Sequence, residues 1–136
     1  MRPRDLVIHA LAGETFALER FNVAANPVLS SVSEVQGARI LRTEYVPQVP
    51  LDEACRCLDS DWICVLSTDT EGQDLQVLRG GTETLKRTLL VCVEYADAEG
   101  RHAIEAFLGE SGFAVVYANQ LNIILRNEPL WKQLRR

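Results

Sequence analysis

Two apolar runs, Asp61-Trp62-Ile63-Cys64-Val65-Leu66-Ser67-Thr68-Asp69 and Leu89-Leu90-Val91-Cys92-Val93-Glu94-Tyr95-Ala96, decide the reading of the fold. Each is short, apolar almost throughout and closed by acidic or turn-forming residues, the pattern of a strand inside a sheet covered on both faces. Between them Leu75, Leu78, Thr82 and Leu85 recur every three or four residues, with Gln73, Asp74, Gln76, Arg79, Glu83, Lys86 and Arg87 mostly left for solvent. That spacing predicts one helix, with acids at its start and bases at its end as the helix dipole favours. Strand, helix and strand in this order predict a right-handed βαβ unit with parallel strands.

Outward from this unit, further strands are expected at Asp5 to Ala10, Thr15 to Asn22, Ala38 to Val46, Phe113 to Ala118 and Leu121 to Arg126. The last two are separated only by Asn119 and Gln120, which predicts a hairpin. A short helix is expected over Leu51 to Leu58. A second runs from Arg101 to Glu110, burying Ile104, Phe107 and Leu108 and stopping at Gly112, and one or two turns are expected within Pro129 to Arg136. The segment from Ala24 to Gln36, rich in Ala, Ser and Asn, reads as a surface loop. The expected class is α/β: one domain, mostly parallel, with a C-terminal antiparallel hairpin.

The chain has 136 residues, 47% hydrophobic and 24% charged, enough for one core. Its net charge of -5 is spread along the sequence and gives no reason to expect a nucleic-acid partner. No apolar run reaches the ~18 to 20 residues needed to span a bilayer, and the start lacks a secretory pattern, so a cytoplasmic location is the expectation. Cys64 and Cys92 lie in apolar runs and Cys55 and Cys57 on the short helix, a distribution that predicts reduced thiols and no zinc site.

Ligands of open parallel sheets bind beyond the carboxyl ends of the strands. Asp69, Thr70, Glu71 and Gly72 follow the first strand, and Glu94 closes the second. Carboxylates at such a turn can accept a proton from a substrate hydroxyl or hold a divalent metal; alternatively Asp69 or Glu71 caps the next helix. His9, expected in the first strand, and His102, expected near a helix start, read as ordinary core or solvated residues. Trp62 and Trp131 read as packing residues.

The run Val65-Leu66-Ser67-Thr68-Asp69-Thr70-Glu71-Gly72-Gln73-Asp74-Leu75-Gln76-Val77-Leu78-Arg79-Gly80-Gly81, continued by Leu85-Lys86-Arg87 and Val91-Cys92-Val93-Glu94, resembles the signature of the FkbM-type methyltransferase family. That signature is an apolar strand, Lys, Ile, Asp, Val, Glu, Gly, two polar residues, then Val-Leu-Lys/Arg-Gly-Ala and a strand ending in Glu. Ala10-Leu11-Ala12-Gly13, Ser30-Ser31, Leu51-Asp52 and the region from Phe113 to Arg126 resemble its flanking parts.

The resemblance implies a Rossmann-like S-adenosylmethionine-dependent O-methyltransferase with strand order 3-2-1-4-5-7-6. Its acceptor would be a hydroxyl of a small metabolite, sugar or glycan. It further implies Asp69, Glu71 and Glu94 on the acceptor side and Ala10 and Leu11 at the cofactor. The sequence departs from the pattern at Ser67, where the family has Lys. The resemblance begins at the family's third strand, so the first strand with its Gly-rich turn, and the acid after the second, have no counterpart. The methyl-donor site is therefore expected to be incomplete, and the fourth strand to become a sheet edge unless the third slides across to cover it. A homo-oligomer or a missing N-terminal half is the expected partner. The alternative is a non-catalytic remnant acting as an interaction module through that edge.

Overall fold

The computed structural model describes residues 7–27, 30–32, 36–58 and 60–136. Their elements are β1 (Leu11–Gly13), β2 (Ala17–Ala24), β3 (Ile40–Pro50), α1 (Leu51–Ala54), a 3-10 turn (Cys55–Cys57), β4 (Ile63–Thr68), α2 (Asp74–Arg79), α3 (Thr82–Lys86), β5 (Thr88–Glu94), α4 (Ala98–Glu110), β6 (Phe113–Ala118), β7 (Asn122–Asn127) and α5 (Glu128–Leu134). They form two sheets, one of three strands ordered β1-β3-β2 and one of four ordered β4-β5-β7-β6.

The larger sheet bears out the α/β class, but it is mixed, with one parallel and two antiparallel pairs, and the described strands form two sheets where one mostly parallel sheet was expected. β4 and β5 are parallel, with Leu66 beside Val91 and Thr68 beside Val93. β7 returns antiparallel to β5, and β6 pairs antiparallel with β7 as the expected hairpin. Leu66, Val91, Val93, Ile123, Leu125 and Phe113 meet Leu78, Leu85, Ile104 and Leu108 from the helices in the main core. Fully burying each such side chain contributes about 2 kcal/mol.

The opposite face is barely covered, which corrects the expectation drawn from the near-continuous apolar runs. On that face Val65 and Tyr117 are each 53% exposed; Cys64, on the Leu66 side of β4, is exposed as well. β4 pairs only with β5, so it is an edge among the described residues, and β1 does not cover it.

Other boundaries moved for local reasons. The described part of the first expected strand, Val7 to Ala10, is not a strand, and His9 is exposed there rather than in a sheet; Asp5 and Leu6 lie outside the described residues. In the expected loop, Ala24 instead ends β2, and Ser31 is buried and bridges Asn22; residues 28, 29 and 33–35 lie outside the described residues. The expected single helix is two, α2 and α3, broken at Gly80-Gly81. Asp74, expected on its solvent side, is buried. The second long helix begins three residues early because Asp97 accepts from the Gly100 N–H and caps it. Its core residues and the left-handed Gly112 (φ 85°) follow the expectation. Asn127 caps α5 by accepting from the Leu130 N–H, and its side-chain nitrogen donates to the Leu85 carbonyl.

The two glycines at the α2–α3 break are a steric requirement. A Cβ on Gly80 would lie 1.9 Å from the Gly13 carbonyl oxygen, and one on Gly81 would lie 2.6 Å from Leu51 Cδ2. Leu51 is buried beneath the break, and the Asp52 N–H donates to the Gly80 carbonyl at 2.9 Å. The Asp52 carboxylate then caps α3, accepting from Glu83 N at 3.1 Å and Thr84 N at 2.7 Å. Burial pushes this carboxyl upward, but the Thr84 hydroxyl and the two N–H groups outweigh it and hold its pKa below the usual value. Leu51-Asp52 thus locks the small sheet onto the helical layer.

Gly80→Ala is expected to destabilise the protein by about 2 kcal/mol or more, because the new methyl meets backbone and not a movable side chain. Gly109→Ala, inside α4 with no atom within 4 Å of the added methyl, is expected to stabilise it by about 0.5 to 1 kcal/mol. Urea denaturation of both variants checks the contrast; equal effects would mean the Gly13–Gly80 approach is not a constraint.

Candidate functional site

The parallel register that sets Thr68 beside Val93 carries the next residues, Asp69 and Glu94, to the same end of the sheet. There the Asp69 carboxylate is the main cause that raises the pKa of Glu94. From Asp69 the chain must reverse into α2 within a few residues. It does so through two consecutive left-handed residues, Glu71 (φ 52°) and Gly72 (φ 92°). Gly72 adopts this conformation freely, whereas for glutamate it costs roughly 1 kcal/mol or more. The strain sets an exposed carboxylate at the tip of the turn.

Neither Asp69 nor Glu71 caps α2. Gln73 occupies the cap position without a side-chain bond, and Asp74 braces the turn by accepting the Thr70 N–H at 3.4 Å on Oδ2. The capping alternative for Asp69 and Glu71 is therefore set aside. Asp74 is 3% exposed, and its Oδ1 has no hydrogen-bond partner; nor have the buried hydroxyls of Thr68 and Thr70.

Two clefts flank this turn. The first, about 200 Å³, lies between the small sheet and the turn, lined by Leu11, Phe21, Ser31, Gln48, Asp69 and Glu71 among others. The second, about 270 Å³, lies between α2 and α4 and is lined by Asp74, Leu75, Glu94, Tyr95, Asp97 and Ile104 among others. Among the described residues, no Lys or Arg lines either one.

Of the sequence-derived candidates, Asp69, Glu71 and Leu11 meet at the first cleft, and Glu94 joins them through Asp69 from the second. Ala10 does not line the first cleft, and neither histidine lines either one; His102 is exposed on α4, as expected. Sequence reasoning missed Asp74, Phe21 and Gln48. Asp74 was hidden by a helical period that assigned it to solvent. Phe21 and Gln48 carry no local signal, because only the β2–β3 pairing brings them to the cleft.

Four carboxylates therefore crowd one end of the sheet, and none belongs to the ion pairs formed among the described residues. Asp69 raises the pKa of Glu94 most, followed by desolvation and by Glu71 and Asp74. Despite the crowding, the described residues contain no group of three or more His, Cys, Asp or Glu placed to hold a metal ion. The four cysteines are unpaired, and no described helix is long and apolar enough to cross a membrane.

Because Glu94 is raised, its ionisation works against the fold. Its contribution is fully favourable below the ordinary glutamate range and is lost as pH rises through its folded range. Glu94→Gln is expected to leave the unfolding midpoint unchanged in acid and to raise it progressively above that range, as a pH series of thermal melts will show. A variant less stable than wild type at neutral pH would contradict the repulsion.

Glu71→Gly is expected to stabilise the fold by about 1 kcal/mol, by releasing the left-handed strain. Loss of stability in denaturant melts would mean that the Glu71 side chain holds the turn.

No family model, curated protein or solved structure matches the chain.

Proposed function

We infer that the chain is the acceptor-binding part of an FkbM-type, S-adenosylmethionine-dependent O-methyltransferase domain. The observation that carries this reading is the placement of the carboxylates Asp69 and Glu94 at the carboxyl ends of adjacent parallel strands, with Glu71 near Asp69 over a cleft. The strand order β4-β5-β7-β6, parallel and then antiparallel, supports it by agreeing with the corresponding end of the methyltransferase sheet.

The methyl donor supplies the group to be transferred; the residues here act on the acceptor. An alcohol oxygen attacking a methyl carbon must lose its proton, and a carboxylate within hydrogen-bond reach can take it. Asp69 receives the proton, with Glu94 at the same end of the sheet beside it. The Asp69 charge raises the pKa of Glu94, so Glu94 holds a proton more readily than an isolated glutamate. Glu71, at the tip of the turn, positions the acceptor hydroxyl.

Leu11 and Ala12 offer an apolar wall to the donor, but a cleft of about 200 Å³ is smaller than pockets that enclose ligands of that size, roughly 300 Å³ upward. The lining fits an acceptor and only part of the donor, so no step is assigned to donor binding.

A second reading, an interaction module, is favoured by one observation: β4 is an edge whose flank carries exposed Trp62, Cys64 and Val65. Unpaired strand edges of this kind template pairing with another chain.

Incubation with methyl-labelled S-adenosylmethionine and a panel of hydroxylated sugars, with the chain joined to a donor-binding segment that supplies the family's first two strands, separates the two. Methyl transfer by the wild type, falling about 10²-fold or more in Asp69→Asn, is the expected result. Absence of transfer, with no calorimetric heat on adding the donor, would refute the enzyme reading. The module reading then requires a dimer in sedimentation that Val65→Lys dissociates.

A further inference from the structure

We propose that the end of the four-stranded sheet opposite the acidic turn rests on the surface of an anionic lipid bilayer, held there by α5 and by the segment leading into β4.

Two ties bring the parts of this surface together. Arg87, at the corner between α3 and β5, donates to the Cys55 carbonyl at 2.9 Å and to the Ser60 carbonyl, and its own carbonyl accepts the Ile63 N–H at 2.7 Å. On the other side of β5, the Asn127 side chain donates to the Leu85 carbonyl at 3.2 Å, which sets the start of α5 against the same corner. Trp62 and Trp131, the two tryptophans of the chain, therefore lie at the end of the sheet where β4 and β5 begin. Asp69 and Glu94 lie where these strands finish.

Charge is divided along the same axis. The chain carries a net -5, but the stretch from Arg126 to Arg136 sets Arg126, Lys132, Arg135 and Arg136 against Glu128 alone, a net of +3 that leaves -8 for the rest. Arg126 takes up Glu128 at 2.7 Å, whereas Lys132, Arg135 and Arg136 form no ion pair among the described residues.

Apolar side chains stand among these cations. Trp62 is 44% exposed, and Leu58 and Leu134 are exposed to a similar degree. Trp131 is half-buried and outside the core cluster, its ring centre 5.0 Å from the Arg126 guanidinium and 5.4 Å from that of Arg135. Trp131 and Leu134, three residues apart, share one side of α5, and Lys132 and Arg135 share the next.

Single exposed apolar residues are ordinary. Tryptophans and leucines interleaved with uncompensated cations, on a chain that is acidic elsewhere, fit the boundary between headgroups and acyl chains. Tryptophan suits a site with one apolar and one wet side, and lysine and arginine reach anionic headgroups while their stems lie on apolar surface. A nucleic-acid backbone would engage the cations but leave the leucines in water. A soluble anion finds no net positive pocket, because the groove at this end has Asp52 and Glu83 in its lining as well as Arg56 and Arg87. The bilayer's negative potential repels the acidic end of the chain, so docking leaves the Asp69–Glu71 turn and its clefts facing solvent.

Flotation of the whole chain with vesicles of phosphatidylcholine alone, or of an equal mixture of phosphatidylcholine and phosphatidylserine, tests this. The expected result is binding at least about tenfold tighter to the anionic vesicles, weakening as salt is raised. Both tryptophans belong to the proposed surface, so quenching of the intrinsic fluorescence by brominated lipid reads contact there directly. Lys132→Glu combined with Arg135→Glu, at two exposed positions, should weaken binding at least about twentyfold with the unfolding midpoint unchanged. Equal affinity for the two vesicles, no binding to either, or binding without quenching would overturn the proposal. So would binding of duplex DNA or polyglutamate at these residues with none to vesicles, which would assign the surface to a soluble polyanion.

Discussion

The close approach of Gly13 to Gly80 is the constraint on which the rest of the molecule depends. With no side chain on Gly80, the Gly13 carbonyl at the end of β1 comes within contact of the α2–α3 break, nearer than a Cβ there would permit. Leu51 fills the space under Gly81, and Asp52 caps α3 from across the interface. One short segment thus ends β3, inserts an apolar anchor and satisfies the open N–H groups of a helix that has no cap of its own. Without this lock the three-stranded sheet would have little hold on the body, because β3, its central strand, is largely exposed along its length.

The candidate site follows from that docking. The first cleft exists because the small sheet is held against the carboxyl end of β4, and its two walls come from segments more than forty residues apart, Leu11 with Phe21 and Asp69 with Glu71. The second cleft lies wholly within the α/β body, between α2 and α4. The turn from Asp69 to Asp74 separates the two, and its strained backbone keeps Glu71 on one side while Asp74 turns inward on the other. Disturbing the Gly80 contact would open the first cleft and leave the second nearly intact, so the two have separable structural origins.

The sequence made the α/β body legible because strand and helix periods there are strong and local. Parallel β4 and β5, the hairpin of β6 and β7, the core face of α4 and the left-handed Gly112 could all be read from spacing and residue type. What could not be read is what depends on distant partners. The helix break at Gly80-Gly81 is dictated by Gly13 and Leu51, and the burial of Asp74 by the way the Thr70 turn folds back over it. Trp62 and Val65 look like interior residues by composition, yet their exposure depends on what lies beside β4, a matter of tertiary context alone. Asp69, Glu71 and Glu94 could be found because a strand's carboxyl end is a position on the chain; their meeting with Leu11 could not be derived from spacing.

The two unusual features of the surface differ in physical weight. An unpaired strand edge keeps its N–H and C=O groups hydrogen-bonded to water, and scattered exposed apolar side chains are common on folded proteins. The fold tolerates the edge of β4 at small cost, so that edge by itself says little about a partner. The carboxylate cluster is different, because water can reach Glu71 and part of Glu94 but not Asp74 Oδ1, and the neighbouring acids raise the cost of ionising Glu94. Moving any one of these acids elsewhere on the surface would relieve the repulsion without touching the hydrophobic core. An arrangement that opposes folding, sits beyond the carboxyl ends of parallel strands and borders two clefts is therefore the stronger pointer to function, which places the chemistry of this chain at the turn and not at the edge.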